Sequence, residues 1–191
     1  LFSARGEERR TSYGYEPYIT DGTTAGTKLL FNIRPGASSS SPVNFTRIGT
    51  SNKILFTAND GTHGQELWVT EGDSASTQLL KDIYPGSTDG VSRFVPEWPN
   101  LNGFVYFVAR SADDASGTNA TGYELWKSDG TASGTQQVAD FNPGGASGVR
   151  TNARLELFNN KVYIVADSGS GSELWESDGT AAGTKIAANL N

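Results

Sequence analysis

Four carboxylates stand where paired or repeated acids could do chemistry: Glu16, Glu66, Glu124 and Glu173, separated by 50, 58 and 49 residues. Five residues after three of them an aspartate precedes a glycine, at Asp21, Asp129 and Asp178. Aspartates of this kind are the residues here that could ligate calcium, which takes carboxylate and carbonyl oxygens. Two residues after three of the glutamates stands a tryptophan, at Trp68, Trp126 and Trp175, with Tyr18 in the remaining copy. An exposed ring there could stack on a sugar. Trp98, between Pro96 and Pro99, lies outside this pattern and is the better candidate for an exposed contact. His63 is the only histidine and there is no cysteine, so a zinc site cannot be assembled.

Each of these features has a structural reading that weighs more. An acid/base pair should be unique and convergent, whereas these glutamates recur once per repeat. A hydrogen bond to a neighbouring strand explains the recurrence. An Asp before Gly closes its own turn, and the spacing fits neither an EF-hand nor a nonapeptide calcium repeat. A recurrent Trp is a packing anchor between units. No phosphate-binding loop and no nucleophile elbow is present. The expectation is therefore a protein with no catalytic residues and no cofactor, with calcium at the Asp-Gly turns as the one metal considered. The pair Asp113-Asp114 is a weaker calcium candidate. Asn44-Phe45-Thr46 and Asn119-Ala120-Thr121 are glycosylation sequons, with Asn44 and Asn119 as the acceptors.

The elements that position these residues are repeats. Glu16 opens EPYITDGTTAGT, Glu66 ELWVTEGDSAST, Glu124 ELWKSDGTASGT and Glu173 ELWESDGTAAGT. Pro35-Gly36, Pro85-Gly86 and Pro143-Gly144 follow the first three at equal distance, and an apolar run precedes each motif. A period near fifty residues with four short strands per copy indicates an all-β, propeller-like repeat domain of four related four-stranded units. The units are about 1–36, 37–86, 87–144 and 145–191 of a single domain spanning 1–191. Residues 1–4 are read as the remnant of a strand and 5–14 as a polar loop, so the first unit is one strand short. A missing strand leaves an open edge, which a neighbouring subunit could complete by strand donation.

Composition agrees. Of the 191 residues 23 are glycine, 10% are aromatic and 36% hydrophobic, which is turn-rich and strand-like. A net charge of −6 argues against a nucleic-acid partner. No apolar run approaches the ~20 residues of a membrane-spanning helix. No signal peptide is visible, and a chain that begins within a repeat without Met reads as a processed piece.

The motifs ELWKSDGTASGT and ELWESDGTAAGT, with DIYPGS and FNPGG downstream, resemble the ELWxxDGT repeat of large bacterial secreted and surface proteins. The resemblance covers essentially the whole chain and implies a propeller-like fold and an extracellular location. The departures are Tyr18 for Trp and Glu71-Gly72-Asp73 for Asp-Gly-Thr. The function expected is a non-enzymatic structural or adhesive module, associating with itself or with other surface proteins and extending into a fibre by strand exchange. The alternatives are a glycan-binding lectin using Trp98 or the motif tryptophans, and, more remotely, a polysaccharide-active enzyme.

Overall fold

A computed structural model describes residues 1–8, 11–95, 97–111 and 121–190. Among them the chain is all-β: fifteen strands in four antiparallel meanders, and no helix long and apolar enough to cross a membrane. The first sheet contains β1 (Phe2–Glu8), β2 (Thr11–Ile19) and β3 (Lys28–Leu29). The second contains β4 (Val43–Arg47), β5 (Ile54–Asn59), β6 (Gln65–Thr70) and β7 (Gln78–Lys81). The third contains β8 (Asn100–Leu101), β9 (Phe104–Ala109), β10 (Glu124–Ser128) and β11 (Gln136–Ala139). The fourth contains β12 (Glu156–Phe158), β13 (Lys161–Asp167), β14 (Ser172–Ser177) and β15 (Lys185–Ala188). Each sheet falls within one sequence repeat, so this is a propeller-like domain of four related units, the first with three strands.

One expectation is corrected. Residues 5–14 are not a loop: β1 and β2 continue as a hairpin arm, with Arg5 opposite Tyr15, Glu7 opposite Ser12 and Glu8 opposite Thr11. A two-stranded ribbon with polar residues on both faces lacks the alternation by which strands are recognised. Arg9 and Arg10 lie outside the described residues.

The motif strand is the third of each full meander and is paired along both edges. Every residue of β6 is buried, because its two faces both meet packed layers and its edges are paired by β5 and β7. The strand before it is equally apolar: Phe56, Phe107 and Ile164 occupy matching register positions opposite Trp68, Trp126 and Trp175. One continuous core joins units two, three and four. A smaller cluster of Ile33, Phe56, Ala58 and Trp68 joins units one and two.

Adjacent units are also stitched through their connectors. Ser41 N, Val91 N and Val149 N donate to the carbonyls of Tyr15, Gln65 and Tyr123 in the unit behind. The residue before each bonds forward: Ser40 O, Gly90 O and Gly148 O accept from Asn59 N, Arg110 N and Asp167 N of the unit ahead. A connector hydrogen-bonded on both edges acts as a shared strand, which satisfies backbone groups that packing would otherwise bury unpaired.

Candidate functional site

The repeated glutamate is a clamp on these connectors. Glu16 Oε2 accepts from Ile33 N at 3.0 Å and its Oε1 from Ser40 N at 3.1 Å. Glu124 accepts from Phe141 N at 2.9 Å and Gly148 N at 2.6 Å. Glu66 accepts from Ile83 N at 2.9 Å, and Glu173 from Leu190 N at 2.5 Å. The partners lie 17 residues ahead in all four units, and 24 ahead in the two that show a second bond. Each carboxylate therefore reaches past the last strand of its own sheet and fixes the chain as it turns into the next unit. Ser40 adds a hydroxyl bond to Glu16 at 2.6 Å.

Three of these acids, Glu16, Glu66 and Glu124, are fully buried. None of the ion pairs among the described residues involves Glu16, Glu66 or Glu124. Burial pushes the Glu66 carboxyl up to about 9 and that of Glu124 to about 7, against the pull of their backbone N–H donors; Glu16 is raised as well. The folded state thus holds the proton more tightly than the unfolded chain, whose glutamates have an ordinary value of 4.5. That contribution to stability is complete below the unfolded value and is lost as pH rises through about 7 for Glu124 and about 9 for Glu66. His63, raised by its bond from Nδ1 to Asp60, adds a loss of the same sign. The melting temperature is accordingly expected to fall as pH rises from about 5 to 9. Glu66→Gln and Glu124→Gln should each flatten that slope whatever their absolute stability. Calorimetry across this window checks it, and a flat or rising profile in the parent protein counts against buried, proton-holding glutamates.

The Asp-Gly turns are closed by their own side chains. Asp21, Asp129 and Asp178 each take, on Oδ1, the backbone N–H and the hydroxyl of the Thr two residues on, at 2.9 and 2.7 Å. The hydroxyls of Thr20 and Thr27, Ser128 and Thr135, and Ser177 and Thr184 meet at 2.7 Å across the same turn. Gly134 is required because a Cβ there would sit 2.1 Å from the Asp129 carboxylate. The second unit solves the turn differently. Glu71 replaces the aspartate, Ser76 replaces the glycine, and Asp73 accepts from Ser76 N at 2.8 Å while Ser76 Oγ takes Glu71 N. The substitutions at Glu71, Asp73 and Ser76 therefore compensate one another. As calcium ligands these aspartates gather no partners: among the described residues there is no group of three or more His, Asp or Glu that could share an ion. Asp113 and Asp114 lie outside the described residues.

The tryptophans are interior. Trp68 and Trp126 are buried, and Trp175 is partly buried with its ring edge-on to Phe141 at 5.0 Å. Trp68 Nε1 donates to Ala58 O at 3.2 Å, and Lys81 Nζ sits 5.7 Å over the Trp126 ring. Trp98 is the main correction: it is 4% exposed and packs on Phe107 at 5.2 Å, so it presents no ring to a ligand. Nor is it unique. Thr46, Pro99 and Glu156 hold matching register opposite Leu55, Tyr106 and Tyr163. The residue before each is Phe45, Trp98 or Leu155, and Phe45 stacks on Phe56 at 5.1 Å just as Trp98 does on Phe107. Sequence matching missed this core position because its three occupants differ in type. The turn chemistry of the opposite strand is what would have aligned them.

Asn44 is likewise unsuited to its sequon. Its Nδ2 donates to Val95 O of the third unit at 2.5 Å, and its backbone is left-handed at φ 61°. The nitrogen a glycan needs is thus engaged between units. Asn119 lies outside the described residues. His63 binds Asp60 Oδ2 through Nδ1 at 2.7 Å and is part of its loop's own hydrogen bonding.

An open cleft of about 780 Å³ lies in the fourth unit, between residues 147–154 and the face of β13. Arg150, Arg154, Val165 and Asp167 line it, and no aromatic ring does.

No protein-family model and no curated protein sequence matches the chain. Among solved structures it is similar to an α-L-arabinofuranosidase (CtGH43) from Clostridium thermocellum ATCC 27405. The identity is 18% and the TM-score 0.34, over 85% of this chain and 56% of that one. At that level nothing of the neighbour's site carries over. The class is defined by the molecule itself: a propeller-like array of four units, three of them four-stranded, with a glutamate clamp in each.

Proposed function

We propose that this is a non-enzymatic structural or adhesive repeat module, secreted or displayed on a cell surface, that works by associating with itself or with other surface proteins. One observation carries the reading: the residues that recur, and that could have done chemistry, are committed to the fold in every unit. The glutamates hold connectors, the aspartates hold turns and the tryptophans hold the core. A repeat whose chemistry serves its own stacking is a device for presenting surface at fixed intervals. The extracellular placement is supported by the resemblance of the motif, and strand exchange by β1, an edge strand of a three-stranded sheet.

The test is paired. The protein is passed over immobilised plant and bacterial glycans, and is incubated with polysaccharides while reducing ends are assayed. Neither retention nor release is expected. Saturable glycan affinity, or turnover, replaces this reading with the lectin or the enzyme.

A further inference from the structure

The junction between the second and third units breaks the repeat at two positions that border its tryptophan. Leu29, Leu79, Gln137 and Ile186 hold matching register opposite Tyr18, Trp68, Trp126 and Trp175. Phe31, Lys81, Ala139 and Ala188 also match, each two residues before the one that its unit's clamp bonds. At the first junction the pair is apolar: Phe31 of the unit behind and Leu79 of the unit ahead pack against the cluster that holds Trp68. At the second junction the same two places hold Lys81 and Gln137. A pocket of about 380 Å³ opens there, lined by Lys81, Ile83, Pro85, Trp126, Gln136 and Gln137 among others. Its walls belong to two units that are each flanked by others in the chain.

This pocket holds donors without acceptors. Lys81 Nζ donates to Thr135 O at 2.7 Å and stands 5.7 Å from the centre of the Trp126 ring, which leaves two of its three N–H groups unused. Lys81 is in none of the ion pairs formed among the described residues. Burial holds its ammonium below the ordinary lysine value, as for a cation short of counter-charge. Trp126 is 5% exposed and its Nε1 is buried with no partner, whereas Trp68 Nε1 donates to Ala58 O. A buried donor left this way is costly. Asp82 also borders the pocket, and the charges its carboxyl feels are those of His63 and Asp60 in its own unit. Ile83 and Pro85 supply an apolar wall beside the two donors.

From this we infer that the pocket between the second and third units binds the carboxylate of a small aliphatic acid. One carboxylate oxygen accepts from Lys81 Nζ and the other from Trp126 Nε1, while a tail of a few carbons lies on Ile83 and Pro85. A single cation beside an apolar wall suits a monoanion with a tail better than sulfate or phosphate. The inference goes beyond the structural-module reading and does not depend on it.

Propionate is the probe, with propionamide as its neutral counterpart and sulfate as an anion without a tail. Each is titrated into the nitrogen-15-labelled whole chain, and the indole N–H signals of the four tryptophans are followed by NMR. The Trp126 signal is assigned by its loss in Trp126→Phe. Propionate should move that signal saturably, with a Kd on the order of 1 mM for so small a ligand, and leave the other three in place. The double variant Lys81→Phe, Gln137→Leu rebuilds the apolar pair of the first junction and should weaken binding roughly tenfold or more. The inference is overturned if propionate leaves the Trp126 signal unmoved, if propionamide or sulfate moves it equally, or if the double variant binds as the parent does. None of those outcomes touches the structural-module reading, which fails on glycan retention or turnover instead.

Discussion

Trp98→Ala is expected to destabilise the protein by about 3–5 kcal/mol, the cost of emptying a large core site. The ring is buried against Phe107 in the cluster that joins three units. Trp98→Phe should cost much less, about 1–2 kcal/mol. Phenylalanine is what the second unit uses at this position, and the indole nitrogen of Trp98 has no hydrogen-bond partner to lose. Chemical denaturation of the three proteins checks the order. Equal stability of the parent and Trp98→Ala would place the ring at the surface and restore it as a contact residue.

Glu124→Ala should be comparably severe, about 3–5 kcal/mol, for a different reason. It strips the partners from two buried backbone donors, Phe141 N and Gly148 N, and an orphaned buried donor costs about 1–3 kcal/mol. Glu173→Ala should cost less, since its partner Leu190 is exposed and water can replace the carboxylate. Denaturant melts of the two variants give the comparison. The core-facing loss should exceed the terminal one, and the reverse order would contradict the clamp. Because the junction carries the damage, Glu124→Ala should also loosen units three and four together, which hydrogen exchange at β11 and β13 would reveal.

Much of this architecture was legible because the motif announces it. The copies at Glu16, Glu66, Glu124 and Glu173 gave the unit boundaries, and the apolar run ahead of each motif gave the strand before it. The structural reading of the glutamates came from their recurrence, and that of the aspartates from the turn that an Asp-Gly pair forms. Two things stayed hidden. The donors to the glutamates are backbone N–H groups, which every residue except proline supplies, so Ile33, Ile83, Phe141 and Leu190 carry no mark beyond a fixed spacing and an apolar character. Trp98 was misread because aromatic type, rather than register, guided the comparison with Phe45 and Leu155. The hairpin arm through Glu8 and Thr11 went unseen because its pairing rests on backbone bonds between polar residues.

The connectors have one consequence in mechanical terms. Gly90 and Val91 are bonded backward to Gln65 and forward to Arg110, while Ile83, a few residues earlier on the same link, is held by Glu66. Tension drawing the second and third units apart would load these bonds side by side, in shear, rather than opening them one after another. The link between units is then the stiff part of the array.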